Sequence, residues 1–88
     1  MKLIGVSKEC FIGPYHITLM EYSETRASPS TGKTLDKSKW SVNAYDTVNN
    51  TYGVNIAGGL VAGLVSTNQK MAINRYNYLC RMAKKAIE

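Results

Sequence analysis

The chain is poor in the residues that announce a chemistry. It has one histidine, two cysteines and only six acidic residues among 88. Cys10 and Cys80 supply neither a disulfide framework nor the closely spaced ligand set of a structural metal site. With His16 the only imidazole, any base and nucleophile pair would have to combine it with a cysteine or a serine. The carboxylates Glu9, Glu21, Glu24, Asp36, Asp46 and Glu88 are dispersed, with no pair at catalytic spacing. These shortages argue against an enzyme, and no cofactor is expected.

Long hydrophobic runs are missing too. The apolar part of the nearly uncharged stretch from Val42 to Gln69 is Leu60-Val-Ala-Gly-Leu-Val65, too short to span a bilayer. No signal peptide pattern follows Met1-Lys2-Leu3-Ile4, so the expectation is a cytoplasmic protein with reduced thiols. Runs of three cations are absent as well, which excludes a polybasic tail.

What is present describes one small folded domain, 1–88. A chain of this length buries only about 60–65% of the surface it exposes when unfolded, enough for one sheet packed by one helix. The 44% hydrophobic and 19% charged content is that of a globular domain rather than a disordered chain. Eleven Lys and Arg against six Asp and Glu give a net charge of +5, which suits an anionic partner and excludes a mimic of nucleic acid.

The most regular stretch is the last quarter, from Ser66 to Glu88. On a helical wheel Ala72, Tyr76, Leu79, Ala83, Ala86 and Ile87 share one side, flanked by Ile73 and Cys80. Lys70, Asn74, Asn77, Arg81, Lys84 and Lys85 occupy the other. Ser66 or Thr67 is the expected cap of the first turn, and the late cations oppose the negative pole of the helix dipole.

Before it, two strands open the chain. Lys2 to Ser7 is apolar and β-branched and extends irregularly through Cys10-Phe11-Ile12 to a Gly13-Pro14 turn. Tyr15 to Tyr22 alternates, with Tyr15, Ile17 and Leu19 on one face and His16, Thr18, Met20 and Tyr22 on the other. Ser23 to Lys39 is nearly all polar and contains Pro29 and Gly32, so it is expected to be a flexible loop. Trp40 to Asp46 and Tyr52 to Ala57 alternate again and predict a hairpin. A three-residue loop, Val48 to Asn50, pairs Val42 with Ile56 and Ala44 with Val54 and keeps the apolar residues on one face. Asn50 is then the left-handed residue. Leu60 and Leu64 continue the spacing of the following helix, which favours a helical turn over a further strand. The fold class is therefore α+β, a mainly antiparallel sheet of three or four strands packed on one C-terminal helix.

Three features bear on function. Ala27-Ser-Pro-Ser-Thr-Gly32-Lys33-Thr34 matches a loosened phosphate loop, but that chemistry requires a helix starting at the lysine, and the chain leads into a strand instead. Lys70, Arg81 and Lys85 line the outer stripe of the helix, where they can track phosphates; direct nucleic-acid binding is the alternative function. The sheet face turned away from the helix is expected to carry His16, Thr18, Met20, Tyr22, Ser41, Asn43, Tyr45 and Asn55, a polar set with aromatics of the kind that binds protein or stacks on bases. The candidate protein-binding residues are Tyr22, Asn43, Tyr45 and Asn55, helped by Arg26, Lys33 and Lys37 in the polar loop.

In size, element order and the opening strand Met1-Lys2-Leu3-Ile4, the chain resembles the small phage-encoded anti-CRISPR proteins. That resemblance implies a phage-type inhibitor acting in the host cytoplasm, which docks on a larger host protein or ribonucleoprotein complex and blocks it. The order of three strands and a helix is also similar to the second half of a double-stranded RNA-binding domain. There the last helix begins with a lysine cluster, where this chain has Ser66-Thr67-Asn68-Gln69-Lys70.

Overall fold

The structure, a computed structural model, describes residues 2–27, 30, 32 and 34–88, with backbone alone at 26, 27 and 34–36. Lys33 lies outside the described residues. Strands β1 (Lys2–Ile12), β2 (Tyr15–Ala27) and β3 (Thr34–Asp46) form an antiparallel meander. β4 (Thr51–Tyr52) and β7 (Leu64–Ser66) both pair with β3 and complete a five-stranded sheet. Between them β5 (Val54–Ile56) and β6 (Gly59–Val61) make a separate two-stranded hairpin. Helix α1 (Gln69–Ile87) closes the chain, so the fold is the α+β arrangement expected.

The core lies between α1 and one sheet face. Tyr15, Ile17 and Leu19 of β2, Val42 and Ala44 of β3, and Val54 of β5 meet Ala72, Tyr76, Leu79, Met82 and Ala83 of α1. Alternation along the strands and the 3.6-residue repeat along the helix produce these two matching surfaces. Trp40 and Ile56 pack at the margin on the same side, as the alternation predicts. Met82 joins the core although the wheel did not select it, while Ile87 is half exposed. The helix is capped by Asn68, whose Oδ1 accepts the Met71 N–H at 3.2 Å; Ser66 instead accepts the Asn68 N–H.

The polar stretch from Ser23 to Lys39 is strand over most of its length. β2 and β3 stay in register without interruption from Tyr15 opposite Asp46 to Ala27 opposite Thr34, leaving only 28–33 to connect them. β1 stops opposite Ser23, so beyond it the two strands pair only with each other among the described residues. The side chains described on this ribbon, 23–25 and 37–39, are polar and half-buried or exposed, which removes the need for apolar alternation. The ribbon makes the molecule long: its radius of gyration is 15.4 Å, against about 12 Å for a compact chain of this size.

The hairpin after β3 also differs from its predicted form. Tyr45 lies opposite Tyr52 and Asp46 opposite Thr51, which leaves a four-residue loop, 47–50. Asn50 is left-handed as expected, with φ of 55°. Gly53, at φ of 97°, then shifts the alternation by one residue and turns β5 away from β3. Val42 is therefore opposite Leu64 of β7, not Ile56. The segment expected to be helical, 60–65, instead contributes 60–61 to β6 and 64–65 to β7, joined by 62–63. Gly63 passes so close to β3 that a Cβ there would collide with the Val42 carbonyl oxygen.

Candidate functional site

The sheet face opposite α1 can be built row by row from the strand register. Nearest the Gly13-Pro14 turn, Phe11, His16, Tyr45 and Tyr52 lie side by side across four strands. The next rows are Glu9, Thr18 and Asn43, then Val6, Met20 and Ser41, then Leu3, Tyr22 and Lys39. Residues opposite one another in neighbouring strands share a face, so each row is set by backbone pairing alone.

The aromatic row is held at both ends. Phe11 stacks on His16 with ring centres 4.2 Å apart and planes within 5°. Glu9 Oε2 lies 3.1 Å from His16 Nε2 on the same side. Tyr45 and Tyr52 pack at 5.1 Å with tilted rings, and the Tyr45 hydroxyl donates to Asn50 Oδ1 at 2.8 Å. Phe11 and Tyr52 nevertheless remain 70% and 69% exposed, so the row presents large apolar edges to solvent. Val6 and Leu3 extend this exposed surface along β1. Between the strands is a shallow depression of about 370 Å³, lined by Val6, Met20, Thr18 and Asn43 together with Glu9, His16 and the two tyrosines. Of its lining residues only Glu9 carries a fixed charge.

The loop beside this row is rigidly braced. Asp46 is buried, and its carboxylate accepts the Val48 and Asn49 N–H groups, each at 3.0 Å, and the Asn49 side-chain amide at 2.8 Å. These donors, the Asn49 backbone first, hold its pKa below the ordinary aspartate value despite burial. Thr47 ties the loop to the neighbouring turn, donating to the Pro14 carbonyl from both its N–H and its hydroxyl.

The predicted protein-binding residues separate into groups. Tyr45 and Asn43 lie in this depression, and Tyr22 lies farther along the same face, its hydroxyl 3.7 Å from Met20 Sδ. Asn55 does not belong with them: β5 has left the main sheet, and Asn55 borders a second hollow with Lys85 and Ala86 near the helix C-terminus. Lys37 is exposed on the ribbon opposite Glu24, and Arg26 is described by backbone only, opposite Leu35. Thr34 begins β3 rather than a helix, which removes the scaffold a phosphate loop needs.

Six residues of these rows were not selected from the sequence: Leu3, Val6, Glu9, Phe11, Lys39 and Tyr52. Register shifts between Leu3 and Gly5 and between Val6 and Lys8 break the alternation of β1 and conceal Val6, Glu9 and Phe11. Tyr52 was concealed by the parity change at Gly53. The only readable signal was the placing of two exposed aromatics beside turns.

The outer side of α1 is different in kind. Lys70, Arg75, Arg81, Lys84 and Lys85 lie on the helix with no acidic residue among them. Arg75 and Arg81 sit over the Tyr78 ring at 5.6 and 5.8 Å, and a hollow of about 500 Å³ adjoins them beside Leu64, Met71 and Asn74. Arg81 borders this hollow, Lys85 the second one, and Lys70 is exposed at the first turn.

Among the described residues no three His, Cys, Asp or Glu side chains group as metal ligands, and no helix is long and apolar enough to cross a membrane. No protein-family model, curated protein or solved structure matches the chain.

Proposed function

We propose that the protein works by binding rather than catalysis, and that it docks on a protein partner through the sheet face opposite α1. The carrying observation is the exposed aromatic row Phe11, His16, Tyr45 and Tyr52, continued by Val6 and Leu3. Large apolar edges, braced in place and ringed by neutral polar groups, are the composition of a protein interface core. Phosphate has little to attract it here, because the depression is charged only at Glu9.

In its specific form the reading is a phage-type inhibitor that docks on a host defence complex, as the anti-CRISPR resemblance implies. A plaque assay tests it. Expression of the protein in a bacterium whose CRISPR–Cas system restricts a phage should restore plaques, and the double variant Tyr45→Ala/Tyr52→Ala should lose that effect while remaining folded. Unchanged restriction with the wild-type protein removes the specific form; full activity in the double variant removes the sheet face.

The second reading, nucleic-acid binding through Lys70, Arg81 and Lys85, is favoured by one observation. The chain has eleven cations and six acids, of which five cations and no acid lie in α1, so the remainder is balanced at six against six. Labelled oligonucleotides titrated at two salt concentrations test it, since phosphate contacts make affinity fall steeply as salt rises.

A further inference from the structure

Cys10 and Cys80 belong to opposite ends of the chain, and the fold brings them together. Cys10 lies near the end of β1 on the face turned to the helix, and Cys80 lies in the middle of α1. Their sulfurs are 3.1 Å apart, both are free, and both are half-buried rather than sealed. Closing to a disulfide length of about 2.05 Å needs a movement of only about 1 Å.

We propose that Cys10 and Cys80 are a modification site, a dithiol that a small-molecule disulfide such as oxidised glutathione converts reversibly to an intramolecular bond. One cysteine, as thiolate, attacks the small disulfide, whose S–S bond breaks and releases one small thiol carrying the proton. The second cysteine then attacks the mixed disulfide and displaces the other small thiol. Two electrons pass from the protein to the small disulfide, two protons leave with the two small thiols, and one protein S–S bond forms.

The position gives the bond a consequence. β1 is an edge strand, held among the described residues by its ladder to β2 on one side, and that ladder is interrupted by two register shifts. A covalent link to α1 ties that edge to the most regular element and closes a loop spanning most of the chain, which strongly constrains the unfolded state. Burial, and after it the hydrogen bond with Cys10, pushes the Cys80 thiol up to about 11. Few Cys80 thiolates exist at neutral pH, so attack by Cys80 is slow there and faster at alkaline pH. This inference stands apart from the reading of the opposite sheet face.

The wild-type protein, incubated with oxidised glutathione at mildly alkaline pH, tests it. The expected product is a monomer that has lost two hydrogens by mass and has no free thiol when denatured. Its Tm should rise by roughly 10–20 °C, and dithiothreitol should reverse both changes. Backbone amides of 9–11 should exchange more slowly in the oxidised form. Persistence of both thiols, stable glutathione adducts, or disulfide-linked dimers in place of the internal bond would each overturn the proposal.

Discussion

The two outward surfaces of this molecule are built on different physics. The open sheet face is assembled by strand register mainly from aromatic, aliphatic and neutral polar residues, with Glu9 the fixed charge of its depression and Lys39, paired with Glu24, farther along. The outer side of α1 is assembled by helical periodicity, its charged residues are all cations, and the helix carries the whole net charge of +5. The first offers desolvation and shape, which confer specificity on a protein partner. The second offers long-range attraction that salt screens, which suits a polyanion. A surface of the second kind also follows from ordinary needs of solubility and dipole compensation, whereas an exposed row of four aromatic rings has no such structural purpose.

The core joins the two surfaces, so breaking it should damage both equally. Leu79 is fully buried between them, and Leu79→Ala should cost about 3 kcal/mol in denaturant unfolding. Gly63→Ala should separate them. A Cβ there collides with the Val42 carbonyl and lifts β7, disturbing the helix-side hollow beside Leu64 at a cost of about 2 kcal/mol. The stacking of Phe11 on His16, read from histidine ring shifts by NMR, should survive that change.

Acid should act on the other side. Asp46 has a folded pKa below its unfolded value, so its contribution is complete above the unfolded pKa of about 3.9 and is lost as pH falls through the lower folded value. Thermal scans below about pH 4 should show that loss, and Asp46→Asn should flatten it. Loosening of loop 47–50 should release the Tyr45 hydroxyl from Asn50 and leave α1 untouched. The smallest effect belongs to Trp40, whose buried indole N–H has no acceptor among the described residues. Relieving an unsatisfied donor offsets the volume lost, so Trp40→Phe should change stability by less than about 1 kcal/mol; a loss well beyond that would mean that the indole has a partner.

The helix and β2 were legible because one side of each is buried and the other wet, so hydrophobicity repeats with the geometry. The ribbon from Ser23 to Lys39 was not, because backbone pairing holds it and its sequence is nearly all polar, with no apolar alternation to read. Leu60 and Leu64 imitate a helical spacing, but Gly63 lies close enough to β3 for a short strand to dock there. The sheet-face site was half legible. Tyr22, Asn43 and Tyr45 follow from simple alternation, while Phe11, Val6 and Glu9 depend on the irregularities of β1. Asn55 and Tyr52 exchange roles through the one parity change at Gly53. The meeting of Cys10 and Cys80 is a property of the folded chain alone.

The central claim, that partner binding belongs to the sheet face, is tested most directly by placing a photo-crosslinking benzoylphenylalanine at Tyr52 and, separately, at Asn74 on the helix. In illuminated host cells the probe at 52 should give one discrete protein adduct and the probe at 74 none. An adduct from 74 alone, or crosslinks to nucleic acid from that side, would contradict the account.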